Sequence, residues 1–427
     1  MHPLNSFRFV HAADIHLDSP LKGLANYDAR AAERIRTATR EAFDNLIAQV
    51  IDEEASFFII AGDLYDGDWR DYQTGLFFIQ QMGRLAKVHI PSFVLYGNHD
   101  AESQITRRLT LPENVKTFSS RRPETFQLKN LGVALHGQSF RQRDIVDNLV
   151  PDYPEPISSM FNIGVLHTSI GGMGGHANYA PCTLYELETK GYNYWALGHV
   201  HQCNILHERP HVVFPGNLQG RHIRETGPKV SFLVTVEEGE VTELVQLQAD
   251  VVRWALVSVP VDGCDRTVDV IDRVRDAIEK AVIRDADGRL LACRIEITGQ
   301  TEINSQLLAS RKHLLAEARA AALGLGDEVA WVEKVIVSTQ PMLNAVTLRD
   351  REDALGELQR LLDNVGEDAT LMERLDADIG ELVRRLPHEV RADAEDILLK
   401  AVIDGDYTGL INAASSYLMA RITAEGE

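Results

Sequence analysis

Seven side chains with metal-binding chemistry stand in short clusters along the chain: Asp14 and His16, Asp63, Asn98, His167, and His199 with His201. They supply two carboxylates, four imidazoles and one amide oxygen. That is more than a single tetrahedral ion takes, and it suits two ions that share a carboxylate. Nitrogen and oxygen donors without a thiolate favour Mn²⁺, with Fe and Zn²⁺ as the alternatives, over a soft ion such as Cu(I). Two divalent ions held about 3.5–4 Å apart bind one hydroxide between them and clamp two oxygens of a phosphate. One D-x-H is an ordinary strand-end feature. The complete ordered set is not, and the chemistry it predicts is metal-dependent phosphoester hydrolysis.

The elements that must gather these residues are legible in the hydrophobic pattern. Residues 1–249 alternate β-branched or aromatic runs with amphipathic helical stretches. Runs at 7–14, 56–63, 92–99, 133–137, 162–168 and 194–200 read as strands, and Ile35, Ala38, Ala42, Leu46, Ile47 and Val50 recur at helical spacing. Most of these strands end in one of the polar clusters. Ligands in open α/β sheets collect beyond the carboxyl ends of the strands, so a layered α/β domain is expected to build the site there. Residues 250–345 read as a compact βαβαβ unit, with strands at 254–261, 290–299 and 329–337 and helices at 267–282 and 303–322. Residues 346–427 read as helical throughout. Leu355, Leu358, Leu361, Leu362 and Val365 form one narrow apolar stripe, and Leu371, Leu375, Ile379, Leu382 and Leu386 form another. Helices of this kind need a surface to pack on.

The ordered blocks D-x-H (Asp14–His16), G-D (Gly62–Asp63), G-N-H-D (Gly97–Asp100), a lone His167 after a strand, and G-H-x-H (Gly198–His201) resemble the calcineurin-like metallophosphoesterase superfamily over most of residues 7–220. The resemblance implies a layered β-sandwich flanked by helices. It also implies that Asp14, His16, His201 and a bridging Asp63 hold one ion, while Asp63, Asn98, His167 and His199 hold the other. His99 is then no ligand but stands by the scissile phosphate, where an imidazole of pKa about 6.5 can protonate the leaving oxygen. Asp100 is expected to orient His99, and Asp66 either supports the site or caps the following helix.

Within the superfamily, HAADIHLDSPLKGL (11–24) and GHANYAPC (175–182) resemble the YhaO-type, SbcD-like DNA repair exonucleases. The α+β segment 250–345 is similar in element order to the capping domain of that group. Arginine clusters follow the site motifs: Arg107 and Arg108, Arg121 and Arg122, Arg141 and Arg143, and Arg221 with Arg224. Of these, Arg107, Arg108, Arg221 and Arg224 are the expected DNA-binding residues, because guanidinium groups grip phosphates bidentately. The resemblance implies a DNA exonuclease in which a metal-bridging hydroxide attacks phosphorus, with residues 346–427 binding a coiled-coil ABC-type ATPase. A phosphatase or phosphodiesterase for small nucleotides, and a DNA-end-binding subunit that mainly assembles with an ATPase, are the alternatives. Self-association as a homodimer is left open.

Composition bounds these readings. The chain has 427 residues, 44% hydrophobic and 25% charged, which excludes a disordered or purely coiled-coil protein. The four cysteines form no C-x-x-C pair, so a reducing compartment is expected; no signal peptide and no membrane span are expected either, and the cytoplasm is the predicted location. The net charge of −20 argues against a protein that coats nucleic acid without specificity. Residues 346–427 hold nine basic and nineteen acidic residues, so half the excess lies in the last fifth of the chain.

Overall fold

Phe7, Phe9, Val10 and Ala12 are buried with almost no exposure, as are Phe57–Ala61, because these strands are covered on both faces. β1 (Phe7–Ala12), β2 (Phe57–Ala61) and β3 (Ser92–Leu95) pair in parallel, joined by α1 (Ala29–Asp52) and α2 (Tyr72–Lys87). Strands buried on both faces carry near-continuous apolar runs, which is how they read in the sequence. The computed structural model describes residues 6–19, 29–66, 72–102, 110–171, 179–342, 352–386 and 397–425. The chain divides into two compact units, Met1–Trp254 and Ala255–Glu427.

In the first unit the chain continues through β4 (Val115–Thr117), β5 (Glu124–Leu128), β6 (Val133–Gly137), β7 (Phe161–His167), α3 (Leu184–Thr189) and β8 (Tyr194–Gly198). It then adds β9 (Asn204–Glu208), β10 (His211–Phe214), β11 (Val230–Glu237) and β12 (Glu240–Gln248). Two six-stranded sheets result, ordered β12-β11-β1-β2-β3-β4 and β5-β6-β7-β8-β10-β9. Their inner faces share one core that includes Phe7, Phe9, Phe57, Phe161, Tyr194 and Phe232. The Phe9 and Phe57 rings stack at 4.9 Å, and Tyr194 of the opposite sheet meets Phe9 edge-on at 5.3 Å. Each such fully buried ring contributes about 1.5–3 kcal/mol. On the outer face of the first sheet, Phe43, Leu46 and Val50 of α1 and Phe78 and Met82 of α2 close a second core. The expected layered α/β sandwich is the observed fold.

Among the polar ties between the sheets is a buried histidine. The buried His11 of β1 donates from Nε2 to the Leu197 carbonyl of β8 (3.2 Å), so its Nδ1 accepts from the Tyr194 hydroxyl (3.0 Å). Both strands lead directly into site residues.

The second unit carries a three-stranded sheet ordered β13-β14-β15, from β13 (Val252–Pro260), β14 (Leu290–Thr301) and β15 (Ala330–Pro341). α4 (Thr267–Ala281) buries Val270, Val274 and Ile278, one residue per turn, in its core. The helix expected over 303–322 is two helices, α5 (Asn304–Ala309) and α6 (Arg311–Gly324), broken at Ser310. The boundary between units falls inside β13, a few residues beyond the 249/250 junction expected from sequence. The tail belongs to this second unit, with helices at Ala354–Asp363, Ala369–Arg385, Ile397–Ile403 and Thr408–Glu425 among the described residues. The last of these runs beside α5. No described helix is long and apolar enough to cross a membrane.

Candidate metal centre

The two sheets of the first unit deliver the seven candidate ligands from the ends of parallel strands and the loops that follow them. Past the end of β1, the chain stays zipped to the loop after β2 through Asp14 N–Gly62 O (3.0 Å), His16 N–Asp63 O (3.0 Å) and Leu17 N–Leu64 O (2.9 Å). This extension brings Asp14, His16 and Asp63 together. It also holds them in left-handed backbone, with φ of 50°, 47° and 49°, and His199 stands at 101°. Such conformations cost non-glycine residues about 1–3 kcal/mol each and collect at functional sites. Gly62 and Gly97 serve a related need. A Cβ at Gly62 would overlap the His167 ring, and one at Gly97 would overlap the Asp63 carboxylate. These motif glycines make room for the ligands behind them.

Three groups of donor atoms converge, each within 4.8 Å internally: Asp14, His16 and His201; Asp63, His167 and His199; and His16, Asp66 and His99. Asp63 lies between the first two. Its Oδ2 is 3.3 Å from His167 Nε2 and 3.8 Å from His16 Nε2. Asn98 Oδ1 also faces His167 Nε2 at 2.9 Å. His167 commits its Nδ1 hydrogen to the Ala61 carbonyl (3.0 Å), so in the neutral ring a lone pair points at two oxygens. In the same way His201 gives Nδ1 to Glu225 (2.8 Å), and its Nε2 meets His16 Nε2 at 3.2 Å. Converging acceptors need a cation or a proton between them. The second carboxylate, Asp14, accepts at both oxygens from the His199 backbone N–H (3.0 Å each).

Electrostatics agree with that need. Burial lowers the His167 pKa, but Asp63 and Asp14 outweigh it and raise it to about 9. The Asp14 carboxyl rises to about 6, chiefly by burial, with Asp63 adding to the rise and His201 and His167 opposing it. The buried carboxylates favour positive charge at His167. Residues and electrostatics thus fit a pair of divalent ions.

His99 stands apart. Its backbone N–H donates to Asp63 Oδ1 (3.0 Å), and its ring Nδ1 lies 2.7 Å from Asp66 Oδ1, leaving Nε2 for solvent or substrate. Burial pulls its pKa down, yet Asp63 and Asp66 raise it overall. Asp66, which the sequence left between support and helix capping, is the orienting carboxylate. Asp100 is not. It is buried, and its carboxylate accepts from Leu64 N (3.1 Å), Tyr65 N (2.8 Å) and Gly97 N (2.9 Å), splicing the loops after β2 and β3.

The arginine expectations separate. Arg107 and Arg108 lie outside the described residues. Arg224 is exposed. Arg221 is not an outward grip: its side chain is 12% exposed and paired with Glu225 at 3.0 Å, beside His201. Glu225 escaped sequence reasoning altogether, because it lies 24 residues from His201 with no motif around it.

A model of the calcineurin-like phosphoesterases matches residues 7–203, and a model of the metallophosphoesterase YhaO middle domain matches residues 254–340. The uncharacterized metallophosphoesterase YhaO of Bacillus subtilis is 35% identical over 281 residues, 65% of this chain and 69% of that one. A Thermus thermophilus structure aligns with 14% identity and a TM-score of 0.33, covering 55% of this chain and all of the other. A dimetal phosphatase from Danio rerio aligns with 11% identity and a TM-score of 0.33, covering 58% of this chain and 99% of the other.

Proposed function

This chain belongs to the calcineurin-like metallophosphoesterases, metal-dependent hydrolases, and from that premise we propose that it hydrolyses DNA phosphodiester bonds as a repair exonuclease. Asp14, His16 and His201 hold one divalent ion, and Asn98, His167 and His199 hold the other, with Asp63 facing both. Mn²⁺ is the proposed native ion. A bound ion pair supplies an activated water and neutralises the charge that develops on phosphorus.

The chain's own residues do the rest. Glu225 fixes the His201 ring so that Nε2 faces the centre, and the Ala61 carbonyl does the same for His167. Asp66 holds His99 by Nδ1, so that Nε2 donates a proton to the departing 3′ oxygen. The observation that carries this mechanism is the His99–Asp66 pair, 2.7 Å apart and partly exposed, beside an Asp63 oxygen that lies 3.3 Å from His167 Nε2 and 3.8 Å from His16 Nε2. Support for DNA comes from the resemblance of residues 11–24 and 175–182 to the YhaO-type exonucleases and from exposed arginines at Arg121, Arg122, Arg141 and Arg224. The tail helices bind a coiled-coil ABC-type ATPase in this reading.

The net charge of −20 favours a second reading, a phosphodiesterase for small nucleotides. Assays with Mn²⁺ on duplex DNA, single-stranded DNA, cyclic nucleotides and bis(4-nitrophenyl) phosphate separate the two. Processive release of nucleotides from DNA ends is the expected result. Turnover of small diesters with DNA untouched would replace the nuclease with the second reading.

A further inference from the structure

Two carboxylates of this site each lie within 2.8 Å of an imidazole nitrogen, with a second imidazole farther off, and a single guanidinium pairs with both. Glu225 Oε1 accepts from His201 Nδ1 (2.8 Å) and from Arg221 Nη2 (3.0 Å), while its Oε2 takes the Arg221 backbone N–H (2.7 Å) and Asn217 Nδ2 (2.9 Å). Asp66 Oδ1 lies 2.7 Å from His99 Nδ1, and its Oδ2 accepts from Ser19 Oγ and lies 3.6 Å from Arg221 Nη1. Arg221 Nη1 also reaches Ser19 Oγ at 3.4 Å. The side chains of Glu225, Arg221 and Asp66 are 5%, 12% and 18% exposed, so solvent screens these charges weakly.

We infer that Arg221 is a positioning residue that couples the seat of His201 to the orientation of His99, through Glu225 on one side and Asp66 on the other. The inference rests on the proposed roles of His201 as a metal-holding group and His99 as an unligated acid. A guanidinium is suited to this place because its planar fork serves two carboxylates at once, where an ammonium acts as a point charge. Without it, two poorly solvated carboxylates would stand near one another with no shared cation, and each would be free to move with its own imidazole. The metal seat and the acid would then be set independently.

A mutant cycle in the full-length protein tests this. Asp66→Asn and Glu225→Gln are made singly and together, in the native background and in Arg221→Met and Arg221→Lys backgrounds. Two quantities are read: the Mn²⁺ dissociation constant of the metal-stripped protein, and kcat for bis(4-nitrophenyl) phosphate at saturating Mn²⁺. In the native background Asp66→Asn should weaken Mn²⁺ binding although it touches His99, and Glu225→Gln should lower kcat although it touches His201. The two should be non-additive by about threefold or more, the scale of coupling between residues in one network. With Arg221→Met each substitution should affect only its own side, and Arg221→Lys should retain part of the coupling.

Additive effects in the native background, or cross effects that persist with Arg221→Met, overturn the proposal; persistence would mean that Asp66 acts directly on His16, 3.9 Å away. An Arg221→Met protein that loses only DNA affinity also overturns it and restores Arg221 as a phosphate grip. If Arg221→Met fails to fold, the Lys background decides: coupling reduced below its native value supports the proposal, and undiminished coupling overturns it. Failure of the functional reading looks different, since wild-type protein would then hydrolyse no diester while the Mn²⁺ arm of the cycle still reports the coupling.

Discussion

Asp63 and His99 are neighbours with separable duties, and substitution should separate them. Asp63→Asn removes the charge that faces both donor groups, so Mn²⁺ content should fall from the two ions per chain that the proposed centre holds, and diester hydrolysis should fall with it. Full activity with both ions retained would end the bridging assignment; metal analysis after Mn²⁺ loading decides. His99→Ala should keep both ions and lower turnover by about 10²–10⁴-fold, the usual range for a lost general acid. An ion lost in that variant would make His99 a ligand. The candidate ligands were legible because they sit in short ordered clusters after strands, and two of the motif glycines, Gly62 and Gly97, are forced by a neighbouring ligand. The supporting carboxylates were not. Asp100 lies inside a site motif next to His99 and Asp66 three residues beyond one, and only the course of the chain beyond Asn98 turns Asp100 inward to backbone N–H groups and leaves Asp66 facing His99. Glu225 depends on a contact between distant loops, which no local spacing encodes.

At the scale of elements, the parallel strands that end in site residues were visible as apolar runs, whereas β9 and β12 were not. Their burial is partial and polar residues interrupt their apolar ones, since they lie at sheet edges. The tie between β1 and β8 is likewise invisible in sequence, yet it has a measurable consequence. Burial lowers the His11 pKa to about 3, against the partial opposition of the Leu197 carbonyl. The unfolded chain binds a proton as pH falls through about 6.5, while the folded protein does not until much lower pH, so stability must fall across that window. This group contributes a slope of about 1.4 kcal/mol per pH unit between those two values. His11→Gln should flatten the pH dependence of the denaturation midpoint between pH 6 and 4, whatever its effect at pH 8. An unchanged pH dependence would show that His11 is protonated in the fold. The expected helix over 303–322 broke at Ser310 for a different reason, because periodicity carries through one irregular turn without registering it.

For the whole molecule the question is how a chain of net charge −20 would grip the polyanion proposed as its substrate. The proposed answer is division of labour, with exposed arginines on the first unit and an acidic tail that repels DNA and serves a protein partner. Replacing Arg121, Arg122 and Arg224 by Ala should weaken DNA binding and flatten its salt dependence, because each lost phosphate contact releases fewer counterions. Hydrolysis of bis(4-nitrophenyl) phosphate should be unchanged, and equal losses on both substrates would instead indicate damage to the fold. The tail demands a subtler test than deletion, because its last helix runs beside α5 and removal would uncover that face. Leu361 and Leu382 are 64% and 66% exposed, and the helix Ala369–Arg385 buries none of its residues fully. Exposed leucines on amphipathic helices contribute little to the stability of the chain that carries them, but much to an interface. Leu361→Glu with Leu382→Glu should therefore leave the melting temperature and diester hydrolysis unchanged while abolishing co-purification with a coiled-coil ATPase. A drop in melting temperature would assign these leucines to the second unit's own packing, and unchanged co-purification would remove this face of the tail from the proposed interface.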